Sequence, residues 1–467
     1  MVDITQSTKR HAAVQAARVL PRLLARSSDA NLIRLTRVLE GIALREEHKV
    51  QMRQLRGLFQ QKHPALALGR KVLREINPNC RRKLVENLGL NATYFGAARR
   101  NELMAKDQAA PYLLVISPTE RCNLRCSGCW AAKYPKDSDM PLELLDRIIT
   151  EAKEMGMYFF TITGGEPFIR KDLFDIYAKH NDAYFQVYTN GTLIDDSVAR
   201  KLAELGNVAP AISIEGFEEQ TDDRRGRGTF AQLMGAMDAL RREQVPFGFS
   251  SMAARKNVDV VASDEFIDML IEKGCLFGWY FTYVPIGMKP DPSQMLTPAE
   301  RECQRERVQH IRATKPIFIA DFWNDGWLVN GCLAARLYAH INSNGDVEPC
   351  AFVHFAVDNI KEKSLSEALN SSFFQAIRNR YPWTDNQLKP CMFLDNPHVL
   401  REAVAEGGAH ATHEGAESLI TELAPTLDRY AEEMEHLTKP IWERLRGRLR
   451  PPGELPEEDK TVVSRGK

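Results

Sequence analysis

The stretch that decides the fold reads Arg121-Cys122-Asn123-Leu124-Arg125-Cys126-Ser127-Gly128-Cys129-Trp130. Its cysteines have the spacing Cys-x3-Cys-x2-Cys, so three thiolates can meet at one soft metal centre, which favours zinc or an iron–sulfur cluster. A structural zinc site needs four ligands, and no fourth Cys or His follows at the spacing of a zinc finger. Three cysteines suit a cubane cluster with one iron left open to a non-protein ligand. Zinc and a purely structural cluster are the alternatives.

From Pro111 onward, short apolar strands alternate with amphipathic helices. The predicted strands cover 113–116, 158–162, 184–188, 211–214, 247–251 and 279–284, and the helices between them cover 142–155, 172–180, 195–205, 230–242 and 264–273. This order predicts parallel strands joined by right-handed crossovers. Six units are too few for a closed eight-stranded barrel, so we predict an α/β fold with an open, partial (β/α)6 barrel. Ligands of such folds collect at the carboxyl ends of the strands, where the cysteine loop begins.

Two further motifs follow predicted strands. Gly164-Gly165-Glu166-Pro167 comes after the second strand, and its glycines allow close approach to a ligand, while a carboxylate can accept hydrogen bonds from an ammonium group. The alternative for this motif is a plain turn with a proline that starts a helix. At the end of the fourth strand, alternation sends Ser213 and Glu215 to the same side, where they could bind ribose hydroxyl groups.

Together these motifs resemble the radical SAM superfamily over residues 111–395. The resemblance implies a [4Fe–4S] cluster on Cys122, Cys126 and Cys129, whose open iron binds S-adenosylmethionine (SAM). It implies one-electron cleavage of SAM to a 5′-deoxyadenosyl radical that abstracts hydrogen from a substrate, with no catalytic residue beyond the cluster ligands. The implied SAM contacts are Trp130, Gly164, Gly165, Glu166, Pro167, Asn190, Ser213, Glu215 and Arg225.

Within this set, the resemblance gives individual roles. It places Trp130 near the adenine and the Gly-Gly-Glu-Pro motif at the methionine amino group. Arg225 begins an Arg-Gly-x-Gly-Thr-Phe run and is expected near the SAM carboxylate or a helix start. For Asn190 and Arg225 a plain turn and an ordinary surface arginine are the alternatives.

A second cysteine set comprises Cys332, Cys350 and Cys391. Cys332 and Cys350 flank a Cys-x12-Gly-x4-Cys pattern with a hairpin-like stretch over 338–347, which resembles the start of SPASM and twitch extensions. A full SPASM segment ends in four further cysteines, whereas this chain has only Cys391. The resemblance therefore implies one auxiliary iron–sulfur cluster on three thiolates, with Cys275, Cys303 and His354 as candidates for a fourth ligand. A metal-free or zinc-binding segment is the alternative.

Composition limits the class of protein. The chain has 467 residues, of which 44% are hydrophobic and 27% charged, as in ordinary globular proteins. It contains no run of about 20 apolar residues that would span a bilayer, and its N-terminus does not resemble a secretory signal. Nine cysteines, an odd number in clusters, suit metal ligation in a reducing compartment better than disulfides. We therefore expect a cytoplasmic protein.

We predict five segments along the chain: a basic helical N-terminal extension over 1–110, the radical SAM core over 111–315, an α+β auxiliary-cluster segment over 316–397, a helical region over 398–450 and a disordered tail over 451–467. The first 110 residues carry 21 Lys and Arg against 9 Asp and Glu, so the remainder is acidic. This extension would attract an anionic membrane, a nucleic acid or an acidic peptide, or it would dock on the protein's own acidic body. The sequence shows no specific nucleic-acid motif.

The function expected from the resemblance is that of a radical SAM enzyme with oxidoreductase or transferase chemistry. A flavodoxin- or ferredoxin-like donor would supply the electron. The substrate is either a peptide or protein, favoured by the twitch-like segment, or a lipid or other small molecule, favoured by the basic extension. The alternative of another class is an iron–sulfur electron carrier or scaffold, but such a protein has no use for Gly164-Gly165-Glu166-Pro167 and the ribose-side pair.

Overall fold

The computed structural model describes residues 27–42, 46–106, 108–131, 133–134, 139–287 and 289–448. Its strands are β1 (Leu113–Ile116), β2 (Phe159–Ile162), β3 (Tyr184–Thr189), β4 (Val208–Ser213), β5 (Gly248–Ala253), β6 (Phe277–Thr282), β7 (Phe318–Asp321), β8 (Tyr338–Ile341), β9 (Val347–Glu348), β10 (Phe355–Ala356) and β11 (His410–Ala411). The predicted tail over 451–467 and the first part of the N-terminal extension lie outside the described residues.

The α-helices are α1 (Asp29–Ile42), α2 (Glu46–Gln60), α3 (Pro64–Glu75), α4 (Pro78–Lys83), α5 (Gly96–Met104), α6 (Leu142–Glu154), α7 (Leu173–Lys179), α8 (Asp196–Leu205), α9 (Glu218–Arg225), α10 (Thr229–Arg242), α11 (Val258–Val261), α12 (Asp264–Lys273), α13 (Pro298–Thr314), α14 (Gly326–Val329), α15 (Leu365–Ala368), α16 (Ser372–Asn379), α17 (Pro397–Gly407) and α18 (Ala424–Arg448). A π-helix over Leu84–Phe95 joins α4 to α5, and short 3-10 helices cover Pro167–Ile169, Pro292–Gln294 and Ala416–Leu419.

One nine-stranded sheet organises the molecule. Its strand order is β7-β6-β5-β4-β3-β2-β1-β8-β9, and each neighbouring pair is parallel except β8 with β9. The sheet is covered by amphipathic helices such as α6, which buries Leu145, Ile148 and Ile149 at helical spacing. Between the sheet and its helices, Phe160 of β2 stacks on Phe185 of β3, with ring centroids 5.5 Å apart, and Phe185 packs on Tyr177 of α7. The α/β class and the open parallel sheet are confirmed.

The sheet extends further than the six predicted strands. Strand β7 pairs with β6 and strand β8 pairs with β1, in the register Leu113 with Tyr338. Both added strands come from residues beyond 315, so the sheet crosses the predicted boundary between the core and the auxiliary segment. The hairpin expected over 338–347 is present as β8 and β9, with His340 opposite Glu348. The five segment boundaries stay a prediction.

The basic N-terminal extension docks on the amino-terminal edge of the sheet, away from the cysteine loop. Its polar side chains donate to main-chain carbonyl groups at or just after the ends of barrel helices: Lys71 to Ile271, Asn79 to Ala203 and Glu204, Asn87 to Asn181 and Ala183, and Arg99 to Glu154. Helix C-termini carry unpaired carbonyl groups and partial negative charge, which these donors satisfy. Of the sequence alternatives, docking on the protein's own body is therefore observed for α3–α5.

Arg100 makes a further buried contact of this kind. Its Nη1 donates to the carbonyl oxygens of Ala92 at 3.0 Å and Gly156 at 2.6 Å, and its guanidinium lies over the Tyr112 ring. We expect Arg100→Ala to lower the free energy of unfolding by about 2 kcal/mol, since hydrogen bonds from a buried charged donor are lost. Chemical denaturation measures this.

The matched control is Arg34→Ala, on the exposed side of α1, which we expect to change the free energy of unfolding by no more than about 0.5 kcal/mol. Equal effects of the two substitutions would show that Arg100 does not anchor the extension.

Within the described residues, no helix combines the length and the apolar character that crossing a membrane requires.

Candidate functional site

The carboxyl edge of the sheet forms one cavity. Each of the first six strands sends residues to its wall, from within the strand or from the loop that follows it. The lining includes all three cysteines of the loop after β1, together with Gly164, Gly165, Asn190, Ser213, Glu215, Arg225 and Trp130. Of the sequence-predicted SAM contacts, the structure thus brings all but Glu166 and Pro167 to one wall, as expected for ligands that bind where parallel strands end.

The cysteine loop presents its thiols to this cavity. Burial raises the pKa of the Cys122 and Cys129 thiols, so the thiolate form needs a cation beside it, which iron supplies. The amide of Leu124 donates to Cys122 Sγ at 3.4 Å, and Arg225 Nη1 lies 3.9 Å from Cys126 Sγ. The donor set, three thiols with hydrogen-bond donors around them, fits an iron–sulfur cluster.

The Gly-Gly turn after β2 packs directly on the cysteine loop. The amide of Gly165 donates to the Thr119 carbonyl at 2.8 Å, and that of Glu166 donates to the Arg121 carbonyl at 2.8 Å. A Cβ on Gly164 would lie 2.2 Å from the Thr119 oxygen, and one on Gly165 would lie 2.1 Å from the Arg121 oxygen. Gly164 also has φ of +106°, a conformation that favours glycine. Both glycines are therefore needed to bring this turn against the loop.

Glu166 has a different position from the glycines. Its side chain is fully buried outside the cavity wall, where it accepts hydrogen bonds from Phe168 N at 3.0 Å, Thr189 Oγ1 at 2.8 Å and Asn190 N at 2.6 Å. Burial raises the pKa of Glu166, and these donors oppose that shift. The carboxylate ties the turn to the end of β3, and Pro167 begins a short helix. The predicted contact of this motif with an ammonium group stays a prediction.

Charged groups in the cavity are paired with one another. Glu215 Oε1 accepts from Arg225 Nε at 3.0 Å and from Arg224, and Oε2 accepts from the Met252 amide at 3.1 Å. Burial by itself would raise the pKa of Glu215, but the two arginines outweigh burial and lower it. Beside this group Ser213 Oγ lies 3.1 Å from Ser250 Oγ, so two hydroxyl groups face the cavity together.

Asn190 and Trp130 frame the cysteine loop. The Asn190 side-chain amide donates to Asn123 Oδ1 at 2.8 Å and lies 3.8 Å from Cys122 Sγ. Trp130 packs on Phe352 and on His340, with centroids 5.7 Å and 5.9 Å away. These two residues connect the cysteine loop to β3 on one side and to the auxiliary segment on the other.

A buried polar chain fixes the auxiliary hairpin beside the cysteine loop. Ser117, which follows β1, hydrogen-bonds to His340 Nε2 at 2.8 Å, and His340 Nδ1 bonds to Glu348 Oε2 at 2.6 Å. Tyr134 donates to Glu348 Oε1 at 2.8 Å. All four side chains are almost completely buried. This chain joins the end of β1 to β8 and β9.

The second cysteine set lines a cavity of its own. Cys332, Cys350 and Cys391 share a largely apolar cavity of about 450 Å³, and burial raises the pKa of all three thiols. The Cys391 amide donates to Asp395 Oδ2 at 3.0 Å, and Asp395 forms a completely buried bidentate ion pair with Arg301. The structure therefore brings the three predicted auxiliary ligands to one cavity, and Asp395 fixes the loop that carries Cys391.

The proposed fourth ligands do not lie on this cavity wall. Cys275 is buried in the core, Cys303 is exposed on α13, and His354 uses Nε2 to contact the Ala351 carbonyl and Nδ1 to contact His413. Among the described residues, the cavity wall instead includes His63 and Asp325, whose side chains contain nitrogen or oxygen atoms that can bind iron. None of the three candidates named from the sequence is supported by position.

The number of thiols in each set bears on the metal alternatives. A structural zinc site takes four protein ligands, whereas each cysteine set offers three thiols, which suits a cubane cluster with one iron open.

Sequence reasoning missed several lining residues. Arg224 pairs with Glu215 and lines the first cavity, and its only sequence signal is its place directly before Arg225. Tyr188, Phe352 and Tyr338 also line this cavity. The aromatic residues carried no motif that distinguishes a cavity wall from a core.

Comparison with known proteins agrees with this geometry. Residues 116–257 match the model of the radical SAM superfamily, and residues 332–392 match SPASM, an iron–sulfur cluster-binding domain. The SuiB structure from Streptococcus suis with bound S-adenosylmethionine is 20% identical at a TM-score of 0.54, over 67% of this chain and 81% of that chain, which shows a shared fold.

Three relatives of known activity have higher sequence identity to this chain than SuiB has. The Fe-coproporphyrin III synthase of Methanosarcina barkeri is 32% identical over 340 residues, which cover 62% of this chain and 84% of the relative. The AdoMet-dependent heme synthase of the same organism is 26% identical over 58% of this chain and 85% of the relative. The mycofactocin maturase of Mycobacterium tuberculosis is 29% identical over 58% and 73%.

These relatives are enzymes, and the comparisons give no support to the electron-carrier alternative. The cofactors of the matched families are a [4Fe–4S] cluster, SAM and additional iron–sulfur clusters. The chain therefore belongs to the radical SAM superfamily, as an enzyme with a SPASM iron–sulfur domain.

Proposed function

We propose that Cys122, Cys126 and Cys129 hold the cluster that cleaves SAM, and that the first cavity is the SAM site. The observation that carries this proposal is the convergence of residues from six consecutive strands on the three cysteines. When bound, cluster and SAM supply a one-electron cleavage that releases a carbon radical able to abstract hydrogen. The protein's residues bind and orient SAM and the substrate, and they exclude water.

The residues around the cavity divide this work. Gly164 and Gly165 let the backbone approach the methionine end of SAM, and Glu166 holds that turn in place from behind. Arg225, beside Cys126, supplies positive charge for the SAM carboxylate. The Ser213 and Ser250 hydroxyls are placed for a ribose, with Glu215 held next to them by two arginines.

Cys332, Cys350 and Cys391 hold one auxiliary cluster in this proposal. Their shared cavity supports the assignment. Because burial raises the pKa of the free thiols, iron would be what stabilises them as thiolates.

The walls of the first cavity favour an apolar substrate. Tyr188, Trp279, Phe281, Phe322 and Phe352 all line it, and its charged side chains Glu215, Arg224 and Arg225 are paired together. An apolar or aromatic small molecule finds matching walls there, whereas a charged peptide finds few free partners. The relatives named as heme and Fe-coproporphyrin III synthases make an iron porphyrin a suitable probe. A peptide substrate, by analogy with the maturase, is the alternative.

Three finer points belong to the same proposal. The protein acts in the cytoplasm with a flavodoxin- or ferredoxin-like donor, because its clustered free cysteines suit a reducing compartment. The basic extension also contacts anionic membrane, and the exposed Arg34 and Arg37 of α1 support this. Flotation of the full chain with anionic vesicles tests the contact, which should weaken with salt and be absent with neutral vesicles.

Anaerobic reconstitution tests the enzyme assignment. We expect about eight irons per chain, and SAM with dithionite should yield 5′-deoxyadenosine. Fe-coproporphyrin III offers these walls a large aromatic face, although its propionates are charged, and it should raise this yield, whereas a peptide without aromatic side chains should not. Protein that binds zinc but no iron would contradict the proposal. If a peptide but no porphyrin raises the yield of 5′-deoxyadenosine, the substrate is a peptide.

A further inference from the structure

A completely buried ion pair connects helix α13 to the turn that carries Cys391. Arg301, near the start of α13, donates to both carboxylate oxygens of Asp395, and both side chains are fully shielded from solvent. Arg301 also donates through Nε to Asn324 Oδ1 at 2.9 Å and through Nη2 to the Trp323 carbonyl at 3.0 Å. Trp323 and Cys391 both line the second cavity. The guanidinium group therefore holds two parts of the wall of that cavity together.

The turn that follows Cys391 closes around this carboxylate. Asp395 Oδ2 accepts a hydrogen bond from the Cys391 amide at 3.0 Å, while the amides of Asp395 and Asn396 donate to the Cys391 carbonyl at 3.2 Å and 3.0 Å. In the closed turn, the Leu394 amide donates to Cys391 Sγ at 3.5 Å. The Asp395 carboxylate therefore lies against the backbone of a cysteine, in a buried region where the effect of a charge is only weakly screened.

We propose that Arg301 is a positioning residue for the auxiliary cluster. Acting through Asp395, it fixes the turn of Cys391 and balances a buried negative charge that would otherwise lower the reduction potential of the cluster. This inference rests on the proposed assignment of Cys332, Cys350 and Cys391 as cluster ligands. A reduced cluster carries one more electron than an oxidised one, so an unbalanced carboxylate nearby disfavours reduction and an unbalanced guanidinium favours it.

Arg301→Gln tests the charge balance, because it removes the cation and keeps a side chain that can donate hydrogen bonds. The full chain is reconstituted with Cys122, Cys126 and Cys129 all replaced by alanine, so that only the auxiliary cluster gives an electron paramagnetic resonance signal. In a redox titration of this background, we expect Arg301→Gln to shift the midpoint to a more negative value. The reduced-to-oxidised ratio at fixed potential should fall about tenfold, which is about 59 mV for a one-electron couple.

Asp395→Asn should have the opposite effect. It leaves the guanidinium group of Arg301 without its counter-charge, so the midpoint should move to a more positive value. The double variant with Arg301→Gln and Asp395→Asn has no charge at the pair, and its midpoint should return to that of the background. Loss of the hydrogen bonds alone would not produce this pattern, because all three variants disturb the same contacts.

Glu302→Gln is the matched control. Glu302 follows Arg301 in α13, and its partly buried carboxylate accepts from Arg305 Nε at 2.8 Å and Nη2 at 2.6 Å. Glu302 lines neither cavity. We expect the midpoint of this variant to stay unchanged.

The outcomes distinguish the inference from the function on which it rests. Absence of any cluster from the background with an intact ion pair would refute the auxiliary-cluster assignment itself. An unchanged midpoint in Arg301→Gln, or shifts of the same sign in Arg301→Gln and Asp395→Asn, would refute only the role of Arg301. If one single variant does not hold the cluster, the sign of the shift in the other decides. Loss of the cluster from both single variants would also refute that role, since the pair would then serve folding alone.

Discussion

Cys126→Ala is expected to abolish the reductive cleavage of SAM while leaving the auxiliary iron in place. Cys126 is buried at the wall of the first cavity beside Arg225, and none of the second set of cysteines lies on that wall. A cubane that loses one of three protein ligands is not held at this site. Iron should fall by about four atoms per chain, and 5′-deoxyadenosine formation should fall by more than about 10³-fold. Iron analysis and chromatography of the products measure these changes.

Cys303→Ala provides the control for this prediction. Cys303 is exposed on α13 and lines neither cavity, so we expect wild-type iron content and wild-type cleavage. Substantial 5′-deoxyadenosine from Cys126→Ala would contradict the assignment of the cluster ligands. Loss of all iron from this variant would contradict the independence of the two cysteine sets.

The features that the sequence predicts are those determined by residues close together in the chain. The spacing of Cys122, Cys126 and Cys129 is contained in eight residues, and the apolar strands that precede the motifs are continuous in the chain. Because parallel strands end at the same edge, the order of motifs along the chain was enough to place their residues around one cavity. The predicted strand positions agree with the structure to within a few residues.

The parts that could not be predicted depend on distant pairing. Strand β8 joins the sheet through pairing of Tyr338 with Leu113, and four residues in each strand are too few to specify a partner so far away in the chain. Likewise, the sequence does not reveal that the Glu166 carboxylate accepts a hydrogen bond from the Asn190 amide, because Asn190 is 24 residues away at the end of β3. The predicted contact of Glu166 with SAM stays a prediction.

The packing of the Gly-Gly turn leads to the second large expected effect. In Gly165→Ala the new methyl group would lie 2.1 Å from the Arg121 carbonyl oxygen, which belongs to the backbone directly before Cys122. Real Cβ atoms do not approach so closely, so the turn and the cysteine loop must separate. We expect 5′-deoxyadenosine formation to fall by about 10²-fold, because a displacement on the order of 1 Å in a binding site has effects of that size. Since the three cysteines are intact, the cluster should still assemble.

Gly235→Ala separates this geometric effect from a general intolerance of substitution. Gly235 lies within α10 with nothing within 4 Å of an added Cβ, so its replacement should leave SAM cleavage unchanged and stabilise the helix by up to about 1 kcal/mol. Single-turnover cleavage and the change in the cluster's electron paramagnetic resonance signal on SAM addition measure both variants. Normal cleavage by Gly165→Ala would show that close contact between the turn and the cysteine loop is not what places SAM at the cluster.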